Sequence, residues 1–309
     1  MKKMVNDCHI EGLLYDHKLV KKKSGPNSKT PGTEFIAGVV NIATDNACLN
    51  VVPVHFTYVT ATTAGGRANN TFLALDKILN GEPCVSKNGK ENATRVRIDT
   101  SLSLNEWYQN EKDEKPVSVL RNEGGFVHIM SDPLNENENQ RNTFKVDMLI
   151  NGMRDVEANP ELGLPAKLVI SGYIFNFRNE ILPVEFSVTS LSGIKYFQKL
   201  DASKGNPVFT QVWGNQVSQT VRIETKTESA FDEDHVSIRE TSRRDFVVSG
   251  ALREPYIWDD EEYLTGAEMS EKAAARETML AEMRQRQAEY QANRNKTTTT
   301  ASAAGDYNF

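Results

Sequence analysis

The chain reads as one fold written twice. Ile10-Glu11-Gly12 returns as Ile150-Asn151-Gly152, Ile36-Ala37-Gly38 as Ile170-Ser171-Gly172, and Pro53-Val54-His55-Phe56 as Pro183-Val184-Glu185-Phe186. Gly81-Glu82-Pro83 then answers to Gly205-Asn206-Pro207, Val96-Arg97-Ile98-Asp99-Thr100 to Val221-Arg222-Ile223-Glu224-Thr225, and Phe126-Val127 to Phe246-Val247. The offset drifts from 140 at the first pair to 120 at the last. Loops of slightly different length would produce such a drift, whereas chance matches would scatter. Each unit then spans about 120 residues, enough for a hydrophobic core of its own.

Within the first copy, alternating β-branched stretches predict strands over 8–19, 34–44, 49–60, 94–104 and 125–130. A helix is expected over 70–79, its apolar face set by Phe72, Leu75, Ile78 and Leu79 and its end marked by Asn80-Gly81. Lys21-Lys22-Lys23-Ser24-Gly25-Pro26 reads as a basic loop after the first strand. The second copy repeats the order with strands over 144–153, 166–177, 182–191, 217–227 and 245–250 and a shorter helix near 193–200. Three strands, a helix and two more strands is the order of an OB-fold barrel. The expected fold is therefore mainly β: two tandem OB-fold-like five-stranded barrels, each with a helix between strands 3 and 4. Residues 1–131 form the first, the Asn- and Glu-rich stretch 132–143 a linker, and 144–252 the second. Residues 253–309 form an acidic tail, helical over 265–292 and disordered beyond.

Charge divides along the same lines. The tail from 254 onward holds six Lys+Arg against eleven Asp+Glu, so it carries most of the net charge of −6 and leaves a nearly neutral body. Such a body is no generic polyanion binder, and a nucleic-acid site on it has to be a local basic surface. No apolar run approaches the ~18 residues of a membrane span, and the N-terminus lacks the apolar stretch of a signal peptide. Three cysteines without CxxC spacing, Cys8, Cys48 and Cys84, suit a reducing cytoplasm. Cytoplasmic location, in a host cell if the chain is phage-encoded, is the expectation.

Enzyme motifs are missing: the sequence holds no Walker A loop, HExxH, GxSxG or Rossmann glycine fingerprint. Asp232-Glu233-Asp234-His235 has metal-ligand residue types but reads as a solvated loop. Neither catalysis, metal nor cofactor is expected.

Binding chemistry is better represented. Ile36 and Val40 share a phase with Ile170 and Ile174, which marks the barrel interior. The opposite phase carries Ala37, Val39 and Asn41 in the first copy but Ser171, Tyr173, Phe175 and, one step on, Phe177 in the second. Those three aromatics form either a base-stacking platform or a surface packed against the other domain or the tail helix. With Val96 and Ile98 inward, Arg95, Arg97 and Arg222 fall outward beside Asp99 and Glu224, so phosphate contact competes with intrastrand ion pairing. Phe56 and Phe186 share the inward phase of Val54 and Val184. The loops that grip ligands in OB-folds offer Lys18, Lys21, Lys22, Lys23 and Lys29 in one place, and Trp107, Tyr108 and Arg121 in another. The second copy offers Arg239, Arg243 and Arg244.

His9-Ile10-Glu11-Gly12, followed by Thr33-Glu34-Phe35-Ile36-Ala37-Gly38-Val39-Val40-Asn41-Ile42-Ala43-Thr44, resembles the first two strands of the single-stranded DNA-binding protein family of bacteria and their phages. A hydrophobic strand, a helix closed by Gly81 and Val96-Arg97-Ile98 leading into a long aromatic hairpin follow in that family's order. The resemblance covers 9–130 directly and 149–250 through the repeat, as a tandem variant. It implies sequence-tolerant binding and protection of single-stranded DNA during replication or recombination. It also implies a tail that recruits replication or recombination partners through an acidic tip ending in phenylalanine. Here Phe309 is terminal, but Asp306 is the only nearby acid and the expected proline is missing. The acidic run Asp259, Asp260, Glu261, Glu262, flanked by Trp258 and Tyr263, is the better docking segment, or else a mimic of the strand that folds back onto its groove. The rival expectation is a non-enzymatic structural or adaptor protein, such as a virion or assembly component, working through protein contacts.

Overall fold

The computed structural model describes residues 3–110, 113–159, 164–227, 235–257 and 263–302, with backbone alone for 219–227, 235–243 and 291–302. The chain runs β1 (Asn6–His17), β2 (Val20–Lys23), β3 (Glu34–Ala43), β4 (Val51–Thr60), α1 (Asn70–Leu79), α2 (Val85–Asn88), β5 (Arg95–Trp107) and β6 (Val117–Met130). It continues through β7 (Asn142–Val156), β8 (Lys167–Phe175), β9 (Ile181–Val188), α3 (Leu191–Leu200), β10 (Val208–Thr227), β11 (His235–Ala251) and α4 (Gly266–Ser302). The fold is mainly β. Two compact units contain these elements: 2–103 with 121–258, and 104–120 with 259–309.

In the larger unit, strand pairing closes two rings of five. One runs β1-β3-β4-β6-β5 and returns to β1; the other runs β7-β8-β9-β11-β10 and returns to β7. The helices α1 and α3 follow the third strand of their ring, and in each ring the third and fifth strands (β4 with β6, β9 with β11) pair parallel. A single antiparallel ladder joins the rings, from Asn6 opposite Val146 to Ile10 opposite Asn142. The length of β1 allows this: Cys8–Leu13 pairs with β5 and Leu13–His17 with β3, across a bulge between Leu14 and Asp16. A glycine marks each place where strands cross closely. A Cβ on Gly38 would stand 2.1 Å from the Lys18 carbonyl oxygen, and one on Gly172 2.0 Å from that of Leu149.

Alternation decides what fills the rings. Ile36, Val40, Ile170, Ile174, Val96, Ile98, Phe56 and Phe186 are all buried, on the phase the sequence assigns to the interior. The first core is sealed by Phe72, Leu75 and Ile78 of α1, which the Asn69 side chain caps by accepting from the Thr71 N–H. Each such side chain contributes about 1.5–3 kcal/mol by leaving water.

The motif repeat is less faithful than the strand order. Val96 and Ile98 pair with Gly12 and Ile10 of β1. Their apparent counterparts Val221 and Ile223 lie beyond Val208–Asn215, the stretch of β10 that pairs with β7, and face only β11. The Val-Arg-Ile motif of the second copy thus sits in a long hairpin extension, not in the ring. Phe126 is 70% exposed, whereas Phe246 packs on Phe144 and Phe186. The basic segment 21–23 is likewise no loop: Val20–Lys23 is an edge strand paired with β3. The stretch 132–143 is held in place: Arg141 is buried and bonds Asn46 Oδ1, and Asn142 already belongs to β7.

The smaller unit is built on α4. Thr265 Oγ1 accepts from the Glu268 N–H while Glu268 Oε2 accepts from the Thr265 N–H, a reciprocal N-terminal cap, and the flanking Leu264 and Met269 are both buried as its apolar clasp. Arg276 reaches Glu106 at 2.6 Å, with both side chains largely buried. Arg284 lies 5.2 Å over the Tyr108 ring and donates to the Asp113 carbonyl.

Candidate nucleic-acid interface

The outer face of the first ring gathers aromatic and basic side chains from β2, β3, β4 and β6. The edge strand β2 alternates. Lys21 turns under α1, where its Nζ meets Asp76 Oδ1 at 2.7 Å and sits 5.6 Å over the Phe72 ring. Lys22 and Lys23 stay exposed, and Lys22 is opposite Phe35 in the register. Lysines on an edge strand also discourage sheet-to-sheet aggregation. Phe35 in turn packs against Tyr58, ring centroids 4.5 Å apart with the planes tilted 41°, and Tyr58 is 47% exposed. The Tyr58 hydroxyl lies 3.3 Å from Thr30 Oγ1 in the loop between β2 and β3.

Further along the same face, His55 pairs across the parallel ladder with Glu123 of β6. Burial, with the nearby Arg121 and Arg244, holds the His55 imidazole below its ordinary value. Burial alone would raise the Glu123 carboxyl, but hydrogen bonds from Thr57 and Arg121 outweigh it and hold it below the usual carboxylate range. Arg244 lies where β11 leaves the second ring for the hairpin extension, opposite Ser218. It lines a groove of about 220 Å³ with Tyr15, Asn41 and Pro53 of the first ring and Ser218 of β10. A buried amide cluster fixes the β10–β11 hairpin there: Asn122 and Gln216 exchange both amide bonds, while Asn50 and Asn142 donate to the Gln216 carbonyl. A half-buried imidazole, arginines and a half-exposed aromatic pair on one sheet face can take up stacked bases and phosphate oxygens together.

The residues expected from sequence fall unevenly on this surface. Lys18, Lys22, Lys23 and Arg244 are exposed. Lys21 is engaged by Asp76, Arg97 by Asp99 at 3.3 Å and Arg121 by Glu123 at 3.0 Å, so ion pairing competes with phosphate at all three. Arg95 donates to the carbonyls of Ser131 and Asp132. Tyr173 is half-buried. Phe175 is no stacking residue: it is fully buried, edge-on to Phe209, and its carbonyl accepts from the Asn6 amide. Tyr108 is likewise withdrawn, 5% exposed beneath Arg284, whereas the adjacent Trp107 is 40% exposed. Phe177 is 77% exposed with the Arg178 guanidinium 5.1 Å over its ring. The side chains of Arg222, Arg239 and Arg243 lie outside the described residues, as do Trp258, Asp259, Asp260, Glu261, Glu262, Phe309 and 232–234. Among the described residues no group of His, Cys, Asp and Glu is arranged to hold a metal ion, and no helix is long and apolar enough to cross a membrane.

Two aromatics of this face escape the period-2 reading for opposite reasons. Phe35 follows from it directly, since Ile36 points inward. Tyr58 shares its nominal phase with buried Phe56, but the register slips between Ile36 and Gly38, and the extra residue turns Tyr58 outward.

Residues 5–286 match the family described as YorF, and the chain belongs to that family. No curated protein matches it. Among solved structures it is similar to a deletion mutant of the single-stranded DNA binding protein from Thermus aquaticus. That likeness is at 10% identity over 84% of this chain and 100% of that one, with a TM-score of 0.47, too distant to bear on what the chain binds.

Proposed function

We propose that this member of the YorF family binds single-stranded DNA without sequence preference and without catalysis, by base stacking and phosphate contacts. The observation that carries the reading is the tilted Phe35–Tyr58 ring pair, half open to solvent beside the exposed lysines of β2. A π-face next to exposed cations suits an unpaired strand, whose bases are free to stack while its phosphates stay in reach. Ring order supports reading the two five-strand rings as tandem OB-fold barrels, with the helix of each after its third strand. The short-motif resemblance to single-stranded DNA-binding proteins points the same way. Strand protection during replication or recombination, phage-borne and in a host cytoplasm, is the setting such binding would serve. Barrels over 1–131 and 144–252 would then present the strand, with the acidic run 259–262 and Phe309 of the tail left for protein partners.

Titration of a fluorescein-labelled oligo-dT of about 30 nucleotides tests the reading. Anisotropy should rise on binding, and affinity should fall steeply as salt is raised. Tyr58→Ala should weaken binding about tenfold, the equivalent of one lost stack. Absence of binding by the intact chain at low salt refutes it.

A further inference from the structure

The ladder that joins the rings lies at the floor of an open groove of about 500 Å³, within the size range of about 300–1,000 Å³ common for ligand sites. Its lining includes Phe126 from the first ring and Phe177 from the second, 70% and 77% exposed. Burying either would have gained about 1.5–3 kcal/mol, so two such rings left in water at one groove call for an occupant. Backbone geometry holds them out. Gly124 and Gly125 take positive φ angles of 70° and 103°, and a Cβ on Gly125 would stand 2.2 Å from the Asp99 carbonyl oxygen. The chain can therefore pass close to β5 and turn Phe126 outward while Val127 enters the core. On the other side Asn176 Oδ1 accepts from the N–H groups of Arg178 and Glu180, closing the turn that projects Phe177.

Charge selects the occupant. Lys3 and Lys145 line the groove and are exposed, and Arg178 lies over the Phe177 ring. The acids of the lining are Asp7 and Asp99, and Asp99 is already taken: His9 Nδ1 stands 2.8 Å from it, Arg97 3.3 Å and His128 3.9 Å. Lys3, Lys145 and Arg178 thus stand against two carboxylates, Asp99 engaged by Arg97 and Asp7 opposite Lys145 in the ladder. This excess of one positive charge beside two open aromatic rings, in a groove that is not enclosed, complements an extended polyanion with flat apolar faces.

We propose that this seam groove is a second subsite for single-stranded DNA, with bases on Phe126 and Phe177 and phosphates at Lys3 and Lys145. It rests on the reading of the β3–β4 face as a strand-binding surface and extends the strand's path from one ring to both. The test uses the full chain with oligo-dT of about 40 nucleotides carrying single 5-iododeoxyuridines, irradiated and mapped by peptide mass spectrometry, alongside anisotropy. Cross-links should reach Phe126 or Phe177. Phe126→Ala with Phe177→Ala should weaken binding of the long oligo about ten- to hundredfold, with the unfolding midpoint unchanged because both rings are exposed. If the wild type binds and the double variant matches it, with cross-links confined to β3–β4, the subsite falls while the first reading stands. If the wild type binds no oligo, both fall. If the double variant keeps its DNA affinity but loses self-association in sedimentation, the pair is a protein contact and the proposal is overturned.

Discussion

Removing either partner of the Asn122–Gln216 amide pair should cost more than removing both would suggest. Asn122 Nδ2 donates to Gln216 Oε1 at 2.7 Å and Gln216 Nε2 donates to Asn122 Oδ1 at 2.9 Å, and the two residues are 2% and 5% exposed. Asn122→Leu deletes both bonds and a third, from Asn122 Nδ2 to the Pro53 carbonyl, about 1 kcal/mol each, and strands the Gln216 amide away from water for about 1–3 kcal/mol more. Gln216→Met deletes the two shared bonds and leaves Asn122 with its bond to the Pro53 carbonyl alone. Gln216→Met is expected to lose about 3–5 kcal/mol and Asn122→Leu about 4–6 kcal/mol, and the double variant to recover about 2 kcal/mol relative to their sum, since neither amide is then left without its partner. Urea denaturation of the four proteins, with m-values checked for constancy, reads the coupling directly. Additivity within about 0.5 kcal/mol would refute the reciprocal pair and with it the fastening of the β10–β11 hairpin to the first ring.

Three further outcomes can be stated. Phe175→Ala should lower stability by about 3–5 kcal/mol and Phe177→Ala by less than about 0.5 kcal/mol, a contrast that thermal and urea unfolding would expose and that equal losses would contradict. Because His55 titrates below its ordinary 6.5 in the folded chain, its contribution is complete above that value and is lost as pH falls through it toward the lowered one. His55→Gln should therefore flatten the urea midpoint between pH 7 and 5, leaving the more acidic loss due to Glu123 in place. Glu106→Gln should loosen α4 by breaking its largely buried contact with Arg276, seen as faster amide exchange over 266–290, and unchanged exchange would count against that contact.

What the sequence shows plainly here is whatever depends on period. Ile36, Val40, Ile170 and Ile174 betray their burial by alternation, and Thr265-Gly266-Ala267-Glu268 announces the start of α4 by its capping pattern. Bulges are invisible to that reasoning, and the one opposite Gly38 turns Tyr58 out of the phase it nominally shares with Phe56. Repeat matching fails differently. Val221-Arg222-Ile223 looks like Val96-Arg97-Ile98 because both are alternating β-segments, yet one pairs with the opening strand of its ring and the other only with its hairpin mate. Non-local pairing, such as Ile10 with Asn142, leaves no local signature, and a polar stretch such as 132–143 reads as a spacer. The pairing of Arg97, Arg121 and Lys21 with acids also depends on contacts that spacing along the chain cannot supply.

The ladder between β1 and β7 makes the duplication behave like a heterodimer written on one chain. Cut within 132–141, each half would keep its own ring yet gain a raw edge, Asn6–Ile10 on one and Asn142–Val146 on the other, whose unpaired N–H and C=O groups seek a partner. The halves, co-expressed, should find each other and reassemble. Shortening the tether should send the same edges to a second molecule instead, giving a dimer with exchanged halves. Five residue pairs and the amide cluster around Gln216, more than the covalent link, make two copies into one body.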